Sequence, residues 1–89
     1  MLRPEYTGQF KKDIRALEKR KSFDMEALKK IIKLLCAEQP IPEKCRDHSL
    51  KGDWIGCRDC HIKPDWILIY QVGNGHIVFE RTGTHSDLF

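Results

Sequence analysis

Trp66-Ile67-Leu68-Ile69-Tyr70 is a nearly continuous apolar run, and its reading decides the fold. An apolar stretch without polar alternation fits a strand at the centre of a sheet rather than at its rim. Turn signals bracket it. Lys63-Pro64-Asp65 precedes it with Pro preset for position i+1, and Gly73-Asn74-Gly75 follows with an Asn-Gly pair that favours positive φ. Trp54 to Ile62 then reads as the strand entering the first turn, and Ile77-Val78-Phe79-Glu80-Arg81 as the strand leaving the second. The tail Gly83-Thr84-His85-Ser86-Asp87-Leu88-Phe89 closes the chain.

Upstream the period changes. Phe10, Ile14 and Leu17 follow i, i+4, i+7 spacing in a helix opened by Thr7 or Gly8. Asp24 suits the N-cap of a second helix, with Leu28, Ile31, Ile32, Leu35 and Cys36 on one stripe that ends before Pro40 and Pro42. Met1-Leu2-Arg3 reads as a short edge strand interrupted by Pro4, and Ile41 to Gly52 as loop. The order β-α-α-β-β-β predicts an α+β fold, with two N-terminal helices on one face of a small antiparallel-rich sheet and the other face free to work.

Eighty-nine residues form one domain, 1–89, and a 33% charged, 40% hydrophobic composition fits a globular chain. No apolar run reaches the ~20 residues of a membrane span and no signal-peptide core is visible, so the expected location is cytoplasmic. The formal net charge of +3 is uneven. Residues 1–39 hold ten Lys/Arg against six Asp/Glu, and residues 40–89 hold six against seven. Basic helices fit a polyanion or an acidic protein partner, or simply a solvated face.

The chemistry gathers in Asp47–Trp66. Cys45-x2-His48 followed by Cys57-x2-Cys60 has the outline of a four-ligand zinc site. On a strand, however, residues i and i+3 point to opposite faces, and no Gly or Pro stands between Cys57 and Cys60 to form a knuckle. Cys36 reads as a buried apolar group and the other cysteines as reduced thiols. An acid–base site is the stronger reading. His48, His61 and His85 are residues of the type that supplies acid and base, and Asp65 lies just across the turn from His61, where it is expected to orient that ring. Trp66 and Phe89 are aromatics suited to stacking on bases. This is the set of groups a metal-independent ribonuclease uses when a 2′-OH attacks the adjacent phosphate.

The segments Asp47-His48-x-Leu50-x-Gly52-x-Trp54, Arg58-Asp59-x-His61-Ile62-x-Pro64-Asp65-Trp66-Ile67-Leu68-Ile69-Tyr70 and Phe79-Glu80-Arg81-Thr82-Gly83-Thr84-His85 resemble the YafQ family of the RelE/ParE superfamily. Tyr6-Thr7-Gly8-Gln9-Phe10-Lys11-Lys12-Asp13 resembles its first helix, so the likeness covers nearly the whole chain. It implies a RelE-like fold and the toxin of a bacterial type II toxin–antitoxin module: a ribosome-dependent endoribonuclease that cuts mRNA in the A site. The resemblance also implies a DinJ-like antitoxin with a ribbon–helix–helix domain, through which alone the complex would reach DNA. It places proton transfer and orientation on His61, Asp65 and His85, with His48 stabilising charge on the phosphate or sharing the proton work. Trp66 and Phe89 would position nucleotides.

Arg81 reads as a phosphate ligand or a structural arginine beside Glu80, and Lys44, Arg46 and Lys51 line the RNA path or keep the loop soluble. Trp54 reads as a core or hinge aromatic and His76 as solvent-exposed. No metal, cofactor or membrane is called for. The competing readings are a ParE-like gyrase-inhibiting toxin without enzymatic activity and a small zinc-dependent nucleic-acid-binding domain.

Overall fold

A computed structural model describes residues 1–89. Strand β1 (Arg3–Tyr6) is followed by helices α1 (Gly8–Glu18) and α2 (Met25–Cys36). After them come β2 (His48–Ser49), β3 (Arg58–Lys63), β4 (Trp66–Gly73), β5 (His76–Gly83) and a terminal helix α3 (His85–Leu88). The sheet order is β1-β5-β4-β3-β2; β1 runs parallel to β5 and every other pair is antiparallel. The expected α+β order stands, with β4 in the middle of five strands.

The helices start where side chains are available to cap them. Thr7 Oγ1 accepts the Phe10 N–H at 2.9 Å and donates to the Glu80 carbonyl, which ties the start of α1 to β5. Asp24 accepts the Glu26 N–H at the start of α2. The apolar stripes of both helices pack on one sheet face. Phe10, Leu17, Leu28 and Ile31 meet Cys60, Ile62, Trp66, Leu68, Tyr70, Ile77 and Phe79 in the main core. Strand alternation sends Ile67 and Ile69 to the opposite face, where they meet Cys57, Leu50, Trp54 and Leu88 in a smaller cluster. That second face is therefore partly roofed rather than free, and Trp54 is one of its packing aromatics.

Four expectations shift. Strand β1 begins at Arg3 and runs through Pro4. Arg3 and Thr7 donate to the carbonyls of Gly75 and Phe79, so alternation turns Pro4 away from β5, where its missing N–H costs nothing. Strand β3 begins at Arg58, not Trp54, because Gly52 and Gly56 take positive φ and Gly52–Trp54 closes a 3-10 turn. The loop before it contains the two-residue β2, which pairs His48 with Asp59. Finally, the tail forms α3, opened by a reciprocal capping box between Thr84 and Asp87.

Candidate active site

Three imidazoles stand in a row on the second sheet face. The His48 and His61 rings are 6.4 Å apart and nearly parallel; the His61 and His85 rings are 5.6 Å apart. They come from β2, β3 and the first residue of α3, so pairing of β2 with β3 and docking of α3 assemble the site.

His48 is set by the chain before it. Arg46 adopts the left-handed region, and its carbonyl lies 2.7 Å from His48 Nδ1. A carbonyl only accepts, so Nδ1 carries the hydrogen and Nε2 keeps its lone pair. Asp47 accepts hydrogen bonds from Tyr70 Oη at 2.7 Å and Arg58 Nε at 3.0 Å, which pins the entry to β2 against β3 and β4.

At the other end, His85 Nδ1 lies 2.6 Å from Asp65 Oδ1, and the His85 backbone N–H donates to the same oxygen. These two bonds, the ring first, hold the Asp65 carboxyl below the usual carboxylate range. Asp65 therefore orients His85 and not His61, as its place across the turn from His61 had suggested. The β-bulge between His61 and Lys63 shifts the register at this tip. His61 is half-buried between the other two rings, and its Nδ1 is buried without a partner.

Beside His61, Lys44, Arg46 and Lys63 line a cavity of about 340 Å3 together with Ile62 and Pro64. Phe89 is exposed, with its ring 6.4 Å from that of His85. Lys51 is exposed on the loop after β2. His76 is half-exposed, 3.8 Å from Glu5.

Two expected RNA-contacting residues lie elsewhere. Trp66 is 2% exposed on the helix face, donates Nε1–H to Thr82 Oγ1 at 2.9 Å and meets Phe23 edge-on, so no base can stack on it. The alternation of β4 explains this: Trp66 shares its face with Leu68 and Tyr70. Arg81 gives Nε and Nη2 to the Asp13 carboxylate at 2.8 and 3.1 Å, joining β5 to α1. Its guanidinium is occupied by a structural partner rather than open for phosphate. Sequence reading gave no role to Asp59, a buried carboxylate 3.1 Å from His48 Nδ1. The signals for it were its place in the Arg58-Asp59-x-His61 segment and its position two residues before His61, on the same strand face.

The family described as "bacterial toxin of type II toxin-antitoxin system, YafQ" matches residues 2–89. The chain belongs to the YafQ toxin family. It is 48% identical to the mRNA interferase toxin YafQ of Escherichia coli K12 over 86 residues, 96% of this chain and 92% of that one. Among solved structures, the toxin in the E. coli DinJ-YafQ complex superposes with a TM-score of 0.91 at 46% identity, covering 100% of this chain and 99% of that one. A copper-bound mutant toxin from Helicobacter pylori superposes at 0.93 with 38% identity and full coverage of both chains.

The metal on that relative directs attention to the donors here. Cys45 and Cys60 lie in the main core, Cys57 lies in the cluster on the opposite face, and His48 is exposed. The four groups of the zinc outline thus do not converge. No three His, Cys, Asp or Glu side chains stand close enough together to hold an ion.

Proposed function

We propose that this family member is an mRNA interferase: an endoribonuclease of a type II toxin–antitoxin module, a single toxin domain over residues 1–89 that cuts mRNA in the ribosomal A site. The observation that carries the reading is the row His48–His61–His85, in which both outer rings are held by Nδ1 and present Nε2. A phosphodiester placed along this row has a proton acceptor and a proton donor on opposite sides. The 2′-OH gives its proton to one outer imidazole as its oxygen attacks phosphorus. The P–O5′ bond breaks, the other outer imidazole, protonated, gives a proton to the leaving 5′ oxygen, and a 2′,3′-cyclic phosphate remains. His61 between them faces the charge that develops on the phosphate, and Asp65 keeps His85 in register.

The cationic cleft of Lys44, Arg46 and Lys63 suits the neighbouring phosphates, Lys51 extends that path, and Phe89 offers a face for a base beside His85. No helix is long and apolar enough to cross a membrane, and we place the toxin in the cytoplasm, where its substrate is. Its inhibitor is a DinJ-like antitoxin with a ribbon–helix–helix domain, an acidic segment of which covers basic surface; DNA is reached only through that complex.

The test is cleavage of a defined mRNA on programmed ribosomes by purified protein, with the 5′ ends mapped, beside a His85→Ala variant. Cuts phased to the reading frame and lost in the variant are expected. Intact mRNA together with gyrase-dependent DNA damage would replace this reading with the ParE-like one.

A further inference from the structure

Asp59 is a carboxyl group that the fold has buried while leaving one of its oxygens without a hydrogen bond. Its residue exposure is 4%, and its Oδ1 accepts no hydrogen bond. Its nearest ring nitrogen, His48 Nδ1 at 3.1 Å, directs its hydrogen at the Arg46 carbonyl instead. Carboxylates buried this way destabilise a fold unless they are paired, so a position that keeps one invites a functional explanation.

The surroundings supply one. Pairing of β2 with β3 sets His48 directly across from Asp59, and alternation along β3 puts His61 on the same face. His48 from β2, His61 from its own strand, His85 from α3 and Asp47 from the chain entering β2 are the charged or titratable groups that act on it. The other neighbours on this face, Ile67, Ile69 and Trp54, are apolar. Burial, the largest influence, pushes the Asp59 carboxyl up; the three histidines pull it down and Asp47 pushes it up again.

We propose that Asp59 is a positioning residue of the acid–base site, a buried anion that stabilises His48 in the protonated form it takes during proton transfer. The proposal rests on the ribonuclease reading given above. The Arg46 carbonyl fixes which His48 nitrogen carries the hydrogen. Asp59, itself buried, acts through its charge on the exposed His48 ring, whose Nδ1 lies 3.1 Å away. The two outer histidines then have matching equipment, an exposed carboxylate for His85 and a buried one for His48.

Asp59→Asn keeps the size and removes the charge. It should slow single-turnover mRNA cleavage on the ribosome about 100-fold, leave ribosome binding within about twofold of native, and melt no lower than the native protein, because a buried carboxylate costs a fold more than a neutral amide of the same size. Combined with His48→Ala it should be no slower than His48→Ala alone. A variant that cleaves at the native rate, that loses stability or folding, or whose effect multiplies fully with that of His48→Ala overturns the proposal. A second arm needs no RNA. In a carboxyl carbon NMR titration, His48→Ala should move the Asp59 midpoint upward, and an unmoved midpoint also overturns the proposal. A native protein that cuts no RNA while the midpoint still moves would count against the ribonuclease reading and not against the pairing.

Discussion

The His85 ring and the Asp65 carboxylate meet at 2.6 Å, across twenty positions of sequence, where the β3–β4 turn touches the first residue of α3. One carboxylate oxygen takes both the ring N–H and the backbone N–H of the same histidine, so the orientation of His85 is set twice. If this contact positions a proton-transfer group, His85→Ala should lower cleavage by roughly 10²–10⁴-fold with little change in urea unfolding, since the side chain is largely exposed. Asp65→Asn should fall between that variant and native protein. An Asp65→Asn protein as active as native would remove Asp65 from the site.

The docking of α3 carries its own pH dependence. Asp65 is held below the usual carboxylate range, first by the His85 ring, and Asp87 likewise, first by the Thr84 backbone N–H and then by Arg20. Depressed folded-state values mean that both groups stabilise α3 above the ordinary aspartate range, about pH 4. The contribution is lost as pH falls through the lowered values. Leu88 methyl resonances should therefore lose their folded shifts below about pH 4, while those of Leu68 in the main core persist. Simultaneous loss of both sets would show that α3 has no separate transition.

Trp66 is a test of burial against contact with RNA. Trp66→Phe keeps most of the apolar volume and loses the bond to Thr82, costing about 1–2 kcal/mol; cleavage by the folded protein should survive. Trp66→Ala should cost about 3–5 kcal/mol and abolish activity through unfolding. A stable, fully folded Trp66→Phe protein without cleavage would return Trp66 to the site.

Arg81 and Asp13 should behave as one unit. Either alanine variant leaves a partly buried partner unpaired and should cost about 1–3 kcal/mol. The double variant should cost less than the two single costs added together, read from equilibrium unfolding. Full additivity, with RNA affinity reduced only in Arg81→Ala, would restore a phosphate role.

Phe89 presents the opposite case. It is 62% exposed, with its ring 6.4 Å from that of His85, so Phe89→Ala should leave stability within about 0.5 kcal/mol. A lost stacking face is expected to reduce cleavage by about tenfold or more. Unchanged cleavage would make Phe89 a bystander.

Local signals in the chain were enough for its main elements. Helical spacing from Phe10 to Leu17, the Asp24 cap, and an apolar run bounded by Pro64 and Gly73 define α1, α2 and β4, because capping, periodicity and turn chemistry act within a few residues. Cys57 and Cys60 do face opposite ways, as strand period predicts, although Cys57 itself lies just before β3. The Thr84–Asp87 box that opens α3 is a local signal too, although the sequence reading takes this segment only as a closing tail. What remained for the tertiary structure was partnership. Sequence places Asp65 beside His61, but the bulge at the end of β3 and the docking of α3 give it to His85. Sequence offers Trp66 to a base and Arg81 to either a phosphate or a structural partner, but β4 alternation buries the first and Asp13 of α1 holds the second. Asp59 took on meaning only when β2 paired with β3 and set His48 across from it. Which groups meet depends on register and long-range packing, and those are properties of the assembled sheet rather than of any short stretch of it.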